Sequence, residues 1–168
     1  MKKLLIIRHG KSDWSKPGLG DFERTLNERG LRNAPDMARR IMERNEVPQA
    51  VVSSPAVRAK TTAEIFCGEW GYPVADILFK QEIYEASPST LLKVINGLDD
   101  RYDSVALFGH NPGLTEIVVE LCNSDLYNLP TCGVVLISFP FESWQMVSRQ
   151  TGDQLLFDYP KNEEEGLD

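Results

Sequence analysis

Only two histidines occur in the chain, and each stands where an apolar run stops: His9 closes LLIIRH and His110 closes VALFGH. A side chain that titrates near neutral pH is a poor space filler, so a pair in matching positions reads as two halves of one site. Arg8 precedes the first histidine, and Asn111 and Pro112 follow the second. A further polar cluster, Ser53-Ser54-Pro55, ends the run at Ala50–Ser53, with Arg58 in the first turn of the helix expected to follow. If these runs are neighbouring strands, two imidazoles and two guanidiniums converge at their carboxyl ends, where open α/β sheets bind ligands. Two helix N-termini would add backbone N–H donors that favour anions. The planar fork of arginine suits phosphate oxygens, so a phosphoryl group is the expected ligand. A neutral imidazole can attack phosphorus and form a covalent phosphohistidine. Each residue also has a plainer reading: Arg8 in a surface ion pair, His9 as a hydrogen-bonded core group, Arg58 in i,i+4 pairs, Asn111 as a cap. Those separate readings leave the joint placement at successive strand ends unexplained.

Other chemistries lack their signatures. No GxxxxGK[ST] or GxSxG stretch is present. Neither histidine has a second one nearby to build a ligand set, so no metal and no cofactor is expected. A formal net charge of −7 argues against non-specific nucleic-acid binding. Cys67, Cys122 and Cys132 form no CxxC pair and read as thiols of a reducing compartment. The apolar run of MKKLLII is only Leu4 to Ile7 before Arg8 interrupts it, short of the roughly 7–15 residues of a signal peptide. No run approaches the ~20 apolar residues of a membrane span, so the cytoplasm is the expected location.

The elements that must position these groups alternate between strand and helix, which implies a three-layer α/β/α domain with a mostly parallel mixed sheet and helices on both faces. Lys3 to Arg8 reads as a buried first strand and Gly10 to Arg24 as a loop. Leu26 to Asn45 reads as a helix broken or kinked near Pro35. Ala50 to Ser53 is a short strand, after which Ser54 caps a helix opening at Pro55. Ser87 and Pro88 repeat that signature, Ser104 to Phe108 is a buried strand, and Asn111 and Pro112 start another helix. Val134 to Phe139, Trp144 to Arg149 and Gln154 to Phe157 read as short strands added at a sheet edge.

RHG after the first strand, SSPAVRAKTTAE and GHNPG together resemble the histidine phosphatase superfamily, with its phosphoglycerate mutase-like fold. RHGKSDWS, DFERTLNERG, IYEASPSTLL, LPTCGVVLISF and DYPK, in that order over nearly the whole chain, resemble its SixA-like phosphohistidine phosphatase branch. The resemblance implies one histidine phosphatase domain over residues 1–160, followed by an acidic tail, 161–168. It implies that His9 is the nucleophile, that Arg8 and Arg58 hold the phosphoryl oxygens, and that His110 completes the pocket. Arg24 would line the pocket mouth or pair with Asp21 or Glu28; Gly10 and Asn111 are further candidates for substrate binding. Glu85, or Glu82, stands where larger members carry the general acid, though SixA-like members need not keep one. Thr25, where proline is common, and Pro35 within a helix depart mildly from the branch pattern. With no room for a capping insertion between Ser54 and Ser104, the pocket should be shallow and admit a phosphorylated side chain of a protein. The expected function is hydrolysis of phosphohistidine on a protein. The alternatives are a phosphomonoesterase or pyrophosphate-type hydrolase of a small molecule, and a silent phosphohistidine-binding module. Because His9 attacks as the neutral base, activity should fall as pH drops through the ordinary histidine range.

Overall fold

The computed structural model describes residues 1–160; the expected tail, 161–168, lies outside them. In chain order the elements are β1 (Lys2–Arg8), α1 (Glu28–Glu43), β2 (Ala50–Ser53), α2 (Val57–Trp70), β3 (Leu78–Phe79), α3 (Pro88–Asn96), β4 (Ser104–Gly109), α4 (Gly113–Cys122), β5 (Val134–Phe139) and β6 (Asp153–Asp158). The strands form one six-stranded sheet in the order β3-β2-β4-β1-β5-β6. Strands β3, β2, β4 and β1 are parallel, and β5 and β6 continue the sheet antiparallel.

Continuous apolar runs make the central strands, because both faces of a parallel sheet are covered. Alternation within each run sorts its side chains. Leu4 and Ile6 of β1, Val105 and Leu107 of β4, and Val135 and Ile137 of β5 meet Leu91, Ile95, Leu114, Ile117, Val118 and Leu121 of α3 and α4. Leu5, Ile7, Val51, Ala106, Phe108, Val134 and Leu136 meet Ala34, Met37, Ala38, Ile41, Ala63, Phe66 and Cys67 of α1 and α2 on the other face. This is the three-layer α/β/α arrangement. Each fully buried Leu, Ile or Phe in it contributes roughly 1.5–3 kcal/mol over an exposed one.

Register sets the site. Arg8 pairs with Gly109, and Ser53 with Phe108, so three parallel strands finish level. Their continuations are held together too: His9 N–H donates to the Gly109 carbonyl at 3.2 Å and Ser54 N–H to that of Phe108 at 3.0 Å.

Three local expectations are corrected. Helix α1 runs unbroken through Pro35, with Asn27 as its cap accepting from Gly30 N–H at 2.9 Å. The missing N–H falls opposite exposed Leu31, while buried Ala34, Met37, Ala38 and Ile41 keep the helix on α2. Trp144–Arg149 is not a strand: Trp144–Met146 is a single 3₁₀ turn, held because Trp144 donates its backbone N–H to Asp100 Oδ1 (2.8 Å) and its indole N–H to the Tyr102 carbonyl (2.9 Å). Helix α2 begins at Val57 behind Ala56, not at Pro55: Ser54 Oγ accepts the Ala56 N–H at 3.2 Å and so holds the turn before the helix while also meeting His110.

Candidate active site

His9 follows β1 and is 6% exposed. Its Nδ1 lies 2.7 Å from the Gly10 carbonyl oxygen. A carbonyl only accepts, so Nδ1 carries the proton and Nε2 keeps its lone pair. Gly10 is fixed in turn: its N–H donates to Thr62 Oγ1 at 3.0 Å, and the Thr62 hydroxyl donates to the Arg58 carbonyl at 2.7 Å. The loop can sit this low because Gly10 faces Gly30 in the first turn of α1. A Cβ on Gly30 would stand 2.5 Å from the Lys11 carbonyl oxygen, and one on Gly10 would stand 3.1 Å from Gly30 Cα.

His110 follows β4, 7% exposed, with its ring centroid 5.2 Å from that of His9. Its Nε2 is 2.8 Å from Ser54 Oγ. Arg8 donates through Nη1 to the Leu129 carbonyl at 3.0 Å. Asn111 donates to the same carbonyl at 2.9 Å, and its Oδ1 accepts from the N–H and hydroxyl of Thr115 at 3.2 and 2.9 Å. Arg58, 4% exposed, is gripped by Asp21: Nη1 donates to the Asp21 carbonyl at 2.6 Å and Nη2 to its Oδ2 at 3.0 Å. Asp21 also accepts from Arg24 Nη2 at 2.8 Å and from the Tyr84 hydroxyl at 2.5 Å. The Arg24 guanidinium bonds Ser12 Oγ and lies 3.6 Å over the ring of exposed Trp14. The Tyr84 ring stands edge-on to His110 at 5.5 Å.

The structure thus gathers Arg8, His9, Arg58 and His110, with Arg24 one residue further out on Asp21. Gly10 and Asn111 directly follow His9 and His110. Their polar groups are committed within the protein, Gly10 to orienting His9 and Asn111 to bracing the carbonyl that holds Arg8. Glu85 and Glu82 are exposed and make no hydrogen bond or ion pair with the described residues; Tyr84 is the member of that segment that reaches His110. Sequence reasoning missed Ser54 as a partner of His110, Thr62, and Asp21 as the link between Arg24, Arg58 and Tyr84. The spacing of SxxxRAxxT holds the first two signals, since its Ser, Arg and Thr all face this site.

Burial is the main force on the imidazoles. It lowers His9 to about 3, helped by His110, Arg58 and Arg8 and opposed by the Gly10 bond. It lowers His110 to about 4, helped by Arg58. Both rings are therefore neutral at pH 7, and the expected loss of activity through the ordinary histidine range moves well to the acid side. The Tyr84 hydroxyl, more than the arginines, holds the Asp21 carboxyl far below the usual range. That same bond pushes Tyr84 up to about 12.

Three buried side-chain atoms have no hydrogen-bond partner among the described residues: Arg8 Nε, Arg58 Nε and His110 Nδ1. Buried polar atoms are nearly always satisfied, so three orphans on three neighbouring site residues call for a ligand. The three peripheral oxygens of a phosphoryl group are acceptors of the right number and charge.

Comparison with known proteins agrees with this geometry. The family model for the histidine phosphatase superfamily (branch 1) matches residues 4–87, half of the 168-residue chain. The chain belongs to that superfamily. Within it the architecture is SixA-like. The crystal structure of SixA from Agrobacterium tumefaciens is 27% identical, with a TM-score of 0.80 over 95% of this chain and 98% of that one. The protein histidine phosphatase SixA complexed with tungstate shares the fold, at 20% identity and a TM-score of 0.81 over 96% and 99% of the two chains. An uncharacterized protein of Mycobacterium leprae is 23% identical over 167 residues, 92% of this chain and 100% of its own length.

Proposed function

We propose that the protein hydrolyses phosphohistidine on a protein substrate through a covalent intermediate at His9. The observation that carries this reading is His9 Nε2, which keeps its lone pair because Nδ1 is held by the 2.7 Å bond, beside His110 and in the field of Arg8 and Arg58. Nε2 attacks phosphorus with its lone pair, and the phosphorus–nitrogen bond of the substrate breaks. The leaving imidazole departs carrying its own proton, so the step needs no strong acid. Water then attacks the phosphorylated His9, that phosphorus–nitrogen bond breaks, and inorganic phosphate leaves. Arg8 and Arg58 hold the phosphoryl oxygens, and His110 completes the set as charge builds on them. Exposed Glu85 has no part in this route. The likeness to SixA of A. tumefaciens supports phosphohistidine as the substrate class. The free Cys67, Cys122 and Cys132 thiols accord with a reducing compartment such as the cytoplasm.

The test is phosphate release from a phosphohistidine peptide, beside a phosphoserine peptide and p-nitrophenyl phosphate, with His9→Ala as control. Release from phosphohistidine alone, abolished in His9→Ala, is expected. Equal release from the esters would move the protein to a general phosphatase and restore Glu85 as an acid. Tight peptide binding without release would make it a binding module, and undiminished release by His9→Ala would end the mechanism.

A further inference from the structure

We propose that Ser54 sets the tautomer of His110: its hydroxyl donates to Nε2, so the ring carries its proton on Nδ1, and that buried N–H is the donor offered to a phosphoryl oxygen. Proton counting carries the argument. Ser54 Oγ already accepts the Ala56 N–H at 3.2 Å, and among the described residues the one acceptor within reach of its own proton is His110 Nε2 at 2.8 Å. Ser54 is fully buried, so water does not supply another. The reverse arrangement, with Nε2–H donating to Oγ, would strand the hydroxyl proton and leave Nδ1 as a bare lone pair. A lone pair aimed at a phosphoryl oxygen would repel it. With the proton on Nδ1, every polar group of the pair is satisfied except the Nδ1–H itself, and that atom is buried without an acceptor among the described residues.

The two imidazoles then work in complementary fashion from the same tautomer. His9, protonated on Nδ1 by its bond to Gly10, presents a lone pair from Nε2. His110, protonated on Nδ1 by its bond from Ser54, presents a proton. Without Ser54, His110 could present either. Ser54 is a positioning residue in this scheme, acting through His110. The catalytic consequence rests on phosphoryl transfer at His9, whereas the tautomer does not.

Because the chain has only two histidines, ¹⁵N-edited NMR of the imidazole rings reads the tautomer directly. The wild-type protein at pH 7 should show both rings protonated on Nδ1. In Ser54→Ala the His110 signals should move to the Nε2–H form or to a mixture, with those of His9 unchanged as the internal control. Titration with inorganic phosphate should shift the His110 Nδ1 proton in the wild type. Removing one oxyanion donor costs ~10²–10³ in rate; since the freed ring still samples the right tautomer, kcat of Ser54→Ala should fall by roughly tenfold, with KM little changed. Ser54→Thr, which keeps the hydroxyl, should hold the wild-type tautomer. A wild-type His110 protonated on Nε2 would overturn the proposal whatever the fate of any variant. It would leave the phosphatase reading standing, while a wild type that releases no phosphate would fail that reading and leave the tautomer to be judged by NMR.

Discussion

Acidifying the protein from pH 7.5 to 5 should cost it about 4 kcal/mol of stability, and the cost should come from two residues. His9 and His110 are buried as neutral rings, with pKa values of about 3 and about 4. In the unfolded chain each returns to about 6.5. Because the folded values are the lower ones, the unfolded state binds more protons between pH 4 and 6.5. The stabilisation is complete above 6.5 and is lost as pH falls. At pH 5 an unfolded histidine is almost fully protonated and the folded one almost not at all, so each contributes a loss of ~2 kcal/mol by linkage. Carboxylates with lowered pKa, among them Asp21, Asp13 and Asp100, respond mainly below their unfolded values near 4, outside this interval. With a urea m-value of ~2 kcal/mol/M, the midpoint should drop by about 2 M between the two pH values. Tryptophan fluorescence and far-UV circular dichroism would follow the transition. His9→Asn and His110→Asn should each halve the drop, and the double variant should be level across the interval. A wild-type midpoint that stays constant, or a drop that survives in the double variant, would refute the burial argument.

The same burial predicts that kcat/KM for a phosphohistidine peptide is level from pH 5.5 to 8 once substrate ionisation is allowed for; an acid limb near 6.5 that disappears with His110→Asn would contradict it. Arg58→Ala should lower kcat by ~10²–10³, as loss of an oxyanion donor does, with Arg58→Lys recovering little because a point charge cannot replace the fork. Asp21→Asn should bring one of the five tyrosines, Tyr84, down from about 12 toward the usual ~10, seen by ultraviolet titration of the phenol. Gly30→Ala should lower the melting temperature although alanine in a helix is ordinarily favoured by ~1 kcal/mol. The new Cβ meets the Lys11 carbonyl 2.5 Å away, so the loop that follows His9 must shift and turnover should fall with stability.

Much of this molecule can be read from local sequence because its central strands are buried on both faces. LLIIR and SVALFG are continuous apolar runs for that reason, and the polar residues that end them are set level by parallel pairing. Strand β3 escapes such reading: two exposed residues, Leu78 and Phe79, carry no pattern. Trp144 misled in the opposite way, its burial coming from a single turn and two long-range hydrogen bonds. Asp21 could be seen only as an i,i+3 neighbour of Arg24, because Arg58 and Tyr84 reach it from 37 and 63 positions away. The purpose of Ser54 likewise depends on His110, 56 positions on, and in isolation a serine before a proline reads as a cap.

Strand β1 lies between β4 and β5, so His9 waits on chain that is made much later. During synthesis Arg8 and His9 leave the ribosome well before their cross-strand partners Gly109 and Gly133, and β1 is flanked on both sides only after Phe139 has emerged. Such distant pairings close slowly. An N-terminal fragment that ends before β4, however well formed its helices, lacks His110 and the strand that pairs with β1, so it cannot assemble the candidate site. In a refolding experiment the return of turnover would time the closing of the central β1–β4 pair, while helical circular dichroism would return earlier.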